Sequence, residues 1–190
     1  MVLDPHINTS LVKGRIEVIC GSMFSGKTEE LLRRLKRAKF AKLKTAVFKP
    51  VVDVRYDTQQ VVSHDLNTAN STPVKSASEI LKLVKDCEVI AIDEAQFFSD
   101  DLIDVCNKLA NQGKRVIISG LDMDFLGKPF GVIPKILAIA EHVTKLHAIC
   151  ANCCEIANYS FRLSKNKELV KLGQKDKYKP LCRQCFVKNI

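Results

Sequence analysis

The sequence predicts an α/β protein, a mostly parallel β-sheet with helices on both faces, followed by a small metal-stapled C-terminal appendage. Three observations carry this. Short apolar runs such as Val89-Ile90-Ala91-Ile92 and Arg115-Val116-Ile117-Ile118-Ser119 alternate with helix-periodic stretches, and strands apolar throughout belong in sheets covered from both sides. An earlier run, Ile16-Glu17-Val18-Ile19-Cys20, leads into Gly21-Ser22-Met23-Phe24-Ser25-Gly26-Lys27-Thr28, a complete G-x-x-x-x-G-K-[ST] phosphate-binding loop. From Cys150 onward the composition changes to cysteine pairs, short polar runs and lysines.

The elements follow in order. Thr28, Leu31, Leu32, Leu35 and Ala38 share one face of a helix that starts at the loop. Thr45-Ala46-Val47-Phe48 reads as a second strand, whereas residues 49 to 75 are polar and aperiodic, a length usual for a functional loop. Ser78 to Val84 is a short helix opened by a serine cap. Val89 to Ile92 is a buried strand, and Leu102 to Ala110 a helix closed near Gly113. Arg115 to Ser119 is a strand ending at Gly120, Ile133 to Ala140 a helix, and His142 to Ile149 a last strand. A boundary near residue 149 divides a nucleotide-binding domain, 1–149, from a smaller domain, 150–190.

A chain of 190 residues, 46% hydrophobic, suffices for one ordinary core and an appendage. No apolar run approaches a membrane span, and Met1 to Arg15 lack the charged and apolar regions of a secretory signal. A cytoplasmic setting follows, in which eight cysteines are thiols or metal ligands rather than disulfides. The net charge of +9 raises nucleic acid as a partner. Its distribution argues against one: Arg33, Arg34, Lys36, Arg37, Lys39, Lys42 and Lys44 read as the solvated side of the first helix and its exit. Lys165, Lys167, Lys171, Lys175, Lys177 and Lys179 form the other cluster, and attraction for an anionic triphosphate accounts for both.

The chemistry is carried by two motifs in register with their elements. In the loop, glycines let backbone N–H groups face a phosphate at a helix N-terminus. Lys27 would reach the outer phosphates, and the Thr28 hydroxyl would help hold Mg²⁺. Val89 to Ile92 then runs into Asp93-Glu94-Ala95-Gln96, a Walker B pattern that delivers Asp93 to the same sheet edge as the loop. The sheet is thus of the P-loop, RecA-like kind. Asp93 would position Mg²⁺, and Glu94 beside it is placed to accept a proton from an attacking hydroxyl or water. Phe97 and Phe98 follow at once; Phe97 is either an aromatic wall beside that base or a core residue.

Cys150-x-x-Cys153 and Cys182-x-x-Cys185 lie 28 residues apart. Four thiolates suit a structural, tetrahedral Zn²⁺; catalytic redox thiols are the competing explanation. Cys154 adjoins a ligand and is a spare, and Cys20, Cys87 and Cys106 read as small core residues.

Together these segments resemble the type II (cytosolic, tetrameric) thymidine kinase family, from Gly14 to Phe186. Besides the loop and the cysteine pairs, the resemblance is carried by Asp53-Val54-Arg55-Tyr56, Ser63-His64-Asp65 and Ile92-Asp93-Glu94-Ala95-Gln96-Phe97-Phe98. Gly120-Leu121-Asp122-Met123-Asp124-Phe125, Lys128-Pro129-Phe130-Gly131 and Asp176-Lys177-Tyr178 complete it. It implies transfer of the ATP γ-phosphoryl group to the 5′-hydroxyl of thymidine or deoxyuridine. Glu94 matches the general base, with Asp93 and Gln96 as flanking nucleotide-site positions and Asp53 with Arg55 as a phosphate-side pair. Met23, Leu121, Phe97, Phe125 and Phe130 match the walls of the base pocket. A lasso loop rooted in the zinc site corresponds to Leu169, Val170, Lys171, Leu172 and Gly173, with Tyr178; its ordering over the acceptor would exclude water. Ser160 stands where threonine is usual and Phe161 where a polar residue is common, so packing near the thymine methyl is expected to differ. A homotetramer and feedback by thymidine triphosphate (dTTP) are further implications. The rival reading is a nucleic-acid-dependent ATPase of the DExx kind, since Asp93-Glu94-Ala95-Gln96 also fits that box, but such motors need further motifs that 190 residues lack.

Overall fold

The computed structural model describes residues 14–51, 60–62, 68–163 and 177–189. In chain order these form β1 (Arg15–Gly21), α1 (Lys27–Phe40), β2 (Thr45–Pro50), β3 (Gln60–Val62), β4 (Thr68–Asn70), β5 (Thr72–Val74) and α2 (Ala77–Leu83). Next come β6 (Val89–Ile92), a 3₁₀ turn (Ala95–Phe97), α3 (Asp101–Asn111), β7 (Arg115–Gly120), α4 (Ile133–Ile139) and β8 (His142–Leu146). The chain closes with β9 (Ala148–Ile149), β10 (Ile156–Ala157), β11 (Tyr159–Arg162), β12 (Tyr178–Leu181) and α5 (Arg183–Val187).

The predicted sheet is present: six strands in the order β5-β2-β6-β7-β1-β8, every neighbouring pair parallel. Parallel pairing requires crossover connections, and the helices that make them cover both faces. Strand alternation divides the core accordingly. Ile16, Val18 and Cys20 of β1 and Val116 and Ile118 of β7 face α2, α3 and α4. Ile19 and Ile117 turn the other way, onto Leu31, Leu32, Leu35 and Ala38 of α1. The thiols of Cys20 and Cys106 lie in the first of these clusters, pushed up to about 11 and about 12 by burial, as small inert core residues. Cys87 packs half-buried at its margin.

Four details differ from the sequence reading. Arg34, read as part of a solvated face, is 1% exposed, because an acid inside the sheet and Glu30 one helical turn back both require it. Residues 49 to 75, read as loop, contain β3, β4 and β5, and β5 extends the sheet beside β2. Three-residue strands are too short to show a period. The stretch His142 to Ile149 breaks into β8, which pairs with β1, and β9, which turns away to pair antiparallel with β10. Ser76 rather than Ser78 precedes α2, and its hydroxyl meets Ser78 Oγ at 3.0 Å instead of capping the helix.

The acid inside the sheet is Glu17, fully buried on the α1 side of β1. Its Oε1 accepts from Arg15 Nε and Arg115 Nε, both at 2.7 Å, and its Oε2 accepts from Arg34 and Arg115 at 2.9 Å. Arg34 also donates to Glu30 Oε1 and Thr144 Oγ1, each at 2.8 Å. A buried carboxylate is tolerated when its lone pairs are filled and its charge is countered, and both conditions are met here. Burial, the largest single influence, pushes the Glu17 carboxyl upward. Hydrogen bonds and charge from Arg115 and Arg15 outweigh it and hold the group at about 2.

A folded-state pKa of about 2 against the ordinary 4.5 contributes stability that is complete above pH 4.5 and is lost as pH falls toward 2. The gain is on the order of 3 kcal/mol. Glu17→Gln therefore flattens the dependence of unfolding free energy on pH between about 2 and 4.5, and at neutral pH costs about 3–5 kcal/mol because three guanidinium groups lose their anion. Urea unfolding of both proteins across that pH range checks this; parallel curves would show that Glu17 is not the group responsible.

Candidate active site

The phosphate loop occupies the turn between β1 and α1. Gly21 has φ 142°, and a Cβ there would lie 2.2 Å from Leu146 O, so only glycine lets β1 leave the sheet beside β8. Two further positive φ angles, 65° at Phe24 and 84° at Gly26, curl the chain back. Strain at the non-glycine Phe24 is offset by packing of its side chain on the C-terminal core of Tyr159, Leu181 and Phe186. Ser25 Oγ and Lys27 Nζ both donate to Ser22 O, at 2.8 and 2.7 Å. Withdrawal from water holds the Lys27 ammonium below the usual lysine range, against the pull of Glu94, Asp93 and Asp122. Thr28 is the second residue of α1, in its first turn.

The charges of three carboxylates thus act on Lys27. Asp93 follows β6 directly, is 6% exposed, and its amide donates to Phe48 O at 2.9 Å. Glu94 adopts φ 52° and ψ 39°, a left-handed conformation costly for a residue with a side chain. Its amide donates to Asp93 Oδ1 at 3.0 Å, and its Oε2 accepts from Gln96 Nε2 at 2.5 Å. Gln96 Oε1 in turn accepts from Leu121 N at 3.0 Å, so one buried carboxamide ties the acid to the end of β7. At Gly131 a Cβ would stand 2.2 Å from Gln96 O, which is why glycine occupies that position.

Asp122 is the carboxylate that the sequence reading did not single out. It is 7% exposed, its Oδ2 pairs with Lys145 at 2.7 Å, and its Oδ1 has no hydrogen-bond partner among the described residues. Spacing gave no signal for it, since it enters the site only because β7 lies between β1 and β6.

The segment after Gly120 folds back on itself. Asp124 Oδ1 accepts from the amides of Leu126 and Lys128 at 2.9 Å, and Phe130 N donates to Asp122 O. This turn brings Phe130 edge-on to Phe97, ring centroids 5.8 Å apart; Phe97 is half-buried, while Phe98 is buried in the core. Leu121 and Phe125 are half-buried.

On the other side, β11 and β12 form a hairpin that opposes Arg162 to Tyr178. Ser160, 4% exposed, accepts from Met23 N at 2.9 Å, and Ser22 Oγ meets Ala157 O at 3.5 Å. The serine hydroxyl thereby holds the phosphate loop. Phe161 meets Phe186 edge-on at 6.2 Å, where an aromatic ring supplies packing that a polar residue would not. Tyr178 accepts hydrogen bonds from two guanidinium nitrogens of Arg162, at 3.0 and 2.7 Å. Asp53, Arg55, Leu169, Val170, Lys171, Leu172 and Gly173 lie outside the described residues.

The sulfurs of Cys150, Cys153, Cys182 and Cys185 all lie within 4.8 Å of one another, and Cys153 is 3.5 Å from Cys182 and 3.6 Å from Cys185. Tetrahedral zinc with bonds of about 2.3 Å separates its ligands by about 3.8 Å, which this cluster matches. One pair sits in the turn after β9, where Cys154 N donates to Cys150 O; the other opens α5, with Cys182 as its N-cap. Cys154 has φ 62°, is exposed, and stays out of the cluster.

A phosphate loop on β1, an acid at the tip of β6 and one strand between them define a P-loop nucleotide-binding fold. The sequence model of the thymidine kinase family matches residues 14–186, and the chain belongs to that family. A thymidine kinase of Bacteroides thetaiotaomicron is 55% identical over 185 residues, covering 97% of this chain and 93% of that one. Those of Bacteroides fragilis and Rhodothermus sp. are 56% and 57% identical, over 96% and 91% of this chain and 92% and 81% of theirs.

Protein purified without chelator is expected to hold about one zinc per chain, read by elemental analysis. Cys182→Ser should lose the metal and, because folding and metal binding are linked, the stability of the β11–β12 region. Native stability without metal would contradict the assignment.

Proposed function

We propose that this protein is a thymidine kinase, transferring the γ-phosphoryl group of ATP to the 5′-hydroxyl of thymidine. Membership of the thymidine kinase family across residues 14–186 carries this reading. A nucleic-acid-dependent ATPase is not favoured by that match. The site geometry suits a small-acceptor kinase, since phosphoryl transfer depends on positioning and charge neutralisation more than on covalent chemistry.

In this reading Gly21 to Thr28 cradle the triphosphate. Lys27, whose ammonium feels the carboxylates of Glu94, Asp93 and Asp122 and donates to Ser22 O of its own loop, reaches the outer phosphates. Thr28 and Asp93 hold the Mg²⁺ that accompanies ATP, which would neutralise charge on the phosphates. Glu94 is the general base: Gln96 fixes its carboxylate, and from there it accepts the proton of the acceptor hydroxyl. Met23, Leu121, Phe97, Phe125, Phe130, Ser160 and Tyr178 bound the base, supported by the Phe97–Phe130 contact and the Ser160–Met23 hydrogen bond. Residues 1–149 form the nucleotide-binding domain, which also supplies most walls of the base pocket, and 150–190 the zinc-binding domain that carries the lasso loop, a division supported by the C-terminal core around Tyr159 and Phe186. The four-cysteine cluster is structural.

Assembly and regulation are read from the family resemblance: a homotetramer, fed back on by dTTP bridging both substrate sites. A cytoplasmic setting is read from the family resemblance as well; among the described residues, no helix is long and apolar enough to cross a membrane.

ATP consumption should depend on thymidine and not on nucleic acid, which a coupled assay with each additive decides. Glu94→Gln is expected to leave ATP binding intact and lower turnover by about 10²–10⁴-fold. Full turnover in that variant would remove Glu94 from the mechanism. Lys27→Ala should weaken both ATP binding and turnover, because it removes charge from the triphosphate itself. Sedimentation of a stable monomer at micromolar concentration would refute the tetramer.

A further inference from the structure

Arg162 holds an unusual position in this molecule. Its guanidinium is drawn out of water, with the residue 6% exposed, yet it sits at the end of a short hairpin rather than in the sheet core. Its central carbon stands 3.7 Å from the centroid of the Phe125 ring, close enough for the cation to lie flat on one face. It stands 5.3 Å from the centroid of Tyr178, while Nε and one terminal nitrogen both donate to the Tyr178 hydroxyl. Three elements meet at this one group: β11, which carries Arg162; β12, which carries Tyr178; and the turn after β7, which carries Phe125.

We infer that Arg162 is a positioning residue for the acceptor base, its guanidinium clamping the rings of Phe125 and Tyr178 at a fixed separation. This rests on the reading above, in which those rings bound the base. The guanidinium suits the task because it is planar, keeps its charge, and offers a rigid fork of donors together with a face that stacks on aromatics. A lysine in its place would keep the cation over Phe125 but present a point charge instead of the fork. The Phe125 turn belongs to the same chain segment that receives the Gln96 carboxamide at Leu121. Fixing Phe125 therefore also fixes where the base lies relative to Glu94. Removal of Arg162 should thus act on the acceptor and leave the triphosphate alone.

The test measures steady-state constants for thymidine and ATP, thymidine binding by calorimetry, and thermal stability, in Arg162→Met, Arg162→Lys and Tyr178→Phe. Arg162→Met is expected to raise the thymidine KM on the order of 10–100-fold, with the ATP KM within about twofold of wild type. Arg162→Lys should recover part of that loss. Tyr178→Phe keeps the ring, the volume and the cation above Phe125, and should raise the thymidine KM by less than Arg162→Met does. Once Tyr178 is Phe, the further penalty of Arg162→Met should shrink, because the clamp is already half released. Equal losses for both substrates, or an unchanged thymidine KM in a folded Arg162→Met protein, would overturn the clamp. If Arg162→Met does not fold, an unchanged thymidine KM in both Arg162→Lys and Tyr178→Phe overturns it equally. Failure of the wild-type protein to bind thymidine at all would instead refute the underlying functional reading.

Discussion

The ion cluster at Glu17 is the constraint from which much of the site's geometry follows. Its carboxylate lies fully buried in the middle of β1, and its counter-charges come from β1 itself, from α1 and from β7. A buried charge that loses a partner is far more costly than a mispacked methyl group. The cluster therefore restricts how α1 can roll on the sheet in a way that Leu31, Leu32 and Leu35 alone would not, because apolar contacts tolerate rotation and a forked guanidinium does not. Since α1 begins at Lys27, the roll of this helix also sets where the phosphate loop's lysine and threonine emerge. Arg34 reaches on to Thr144, so β8 is held in the same arrangement.

From that frame the site is assembled by contacts between segments distant in sequence. Gln96 joins the Walker B turn to Leu121, and Gly131 lets the returning chain pass against the Gln96 carbonyl. Ser160 reaches from the C-terminal hairpin to Met23 in the phosphate loop. The phosphate loop and the C-terminal strands therefore share hydrogen bonds, and the cysteine cluster matters because Cys182 follows directly on β12, the strand of Tyr178 that pairs with the strand of Ser160. The left-handed Glu94 and Phe24 show where local strain is tolerated: each lies at the site, and each is over-determined by its neighbours. For Glu94 these are the Asp93 and Gln96 side chains; for Phe24 it is the Tyr159 and Phe186 core.

Much of this was legible in the sequence for identifiable reasons. The phosphate loop, the acid-ended strand and the two cysteine pairs are local patterns in which residue type and spacing already specify the chemistry, and the structure sets each on its expected element. Apolar runs on β6 and β7 and the helical period of α1 foretold a sheet covered on both faces. The ordered set of family segments, not composition, pointed to thymidine.

Tertiary structure alone decided the rest. Arg34 looks like its neighbours Arg33 and Arg37 on the helix, and only the fold shows that it turns inward to an acid seventeen residues earlier. Asp122 joins the carboxylates around Lys27 because β7 lies between β1 and β6, a strand order that no local pattern encodes. Ser160 is placed near the base by the family resemblance alone, and only the fold adds that its hydroxyl accepts from a backbone amide of the phosphate loop. The break between β8 and β9 was invisible because both halves read as extended; their difference lies in their partners, β1 for one and β10 for the other. Motifs are legible because their chemistry is local in the chain, whereas pairing of buried charges and strand order depend on which distant segments the fold brings together.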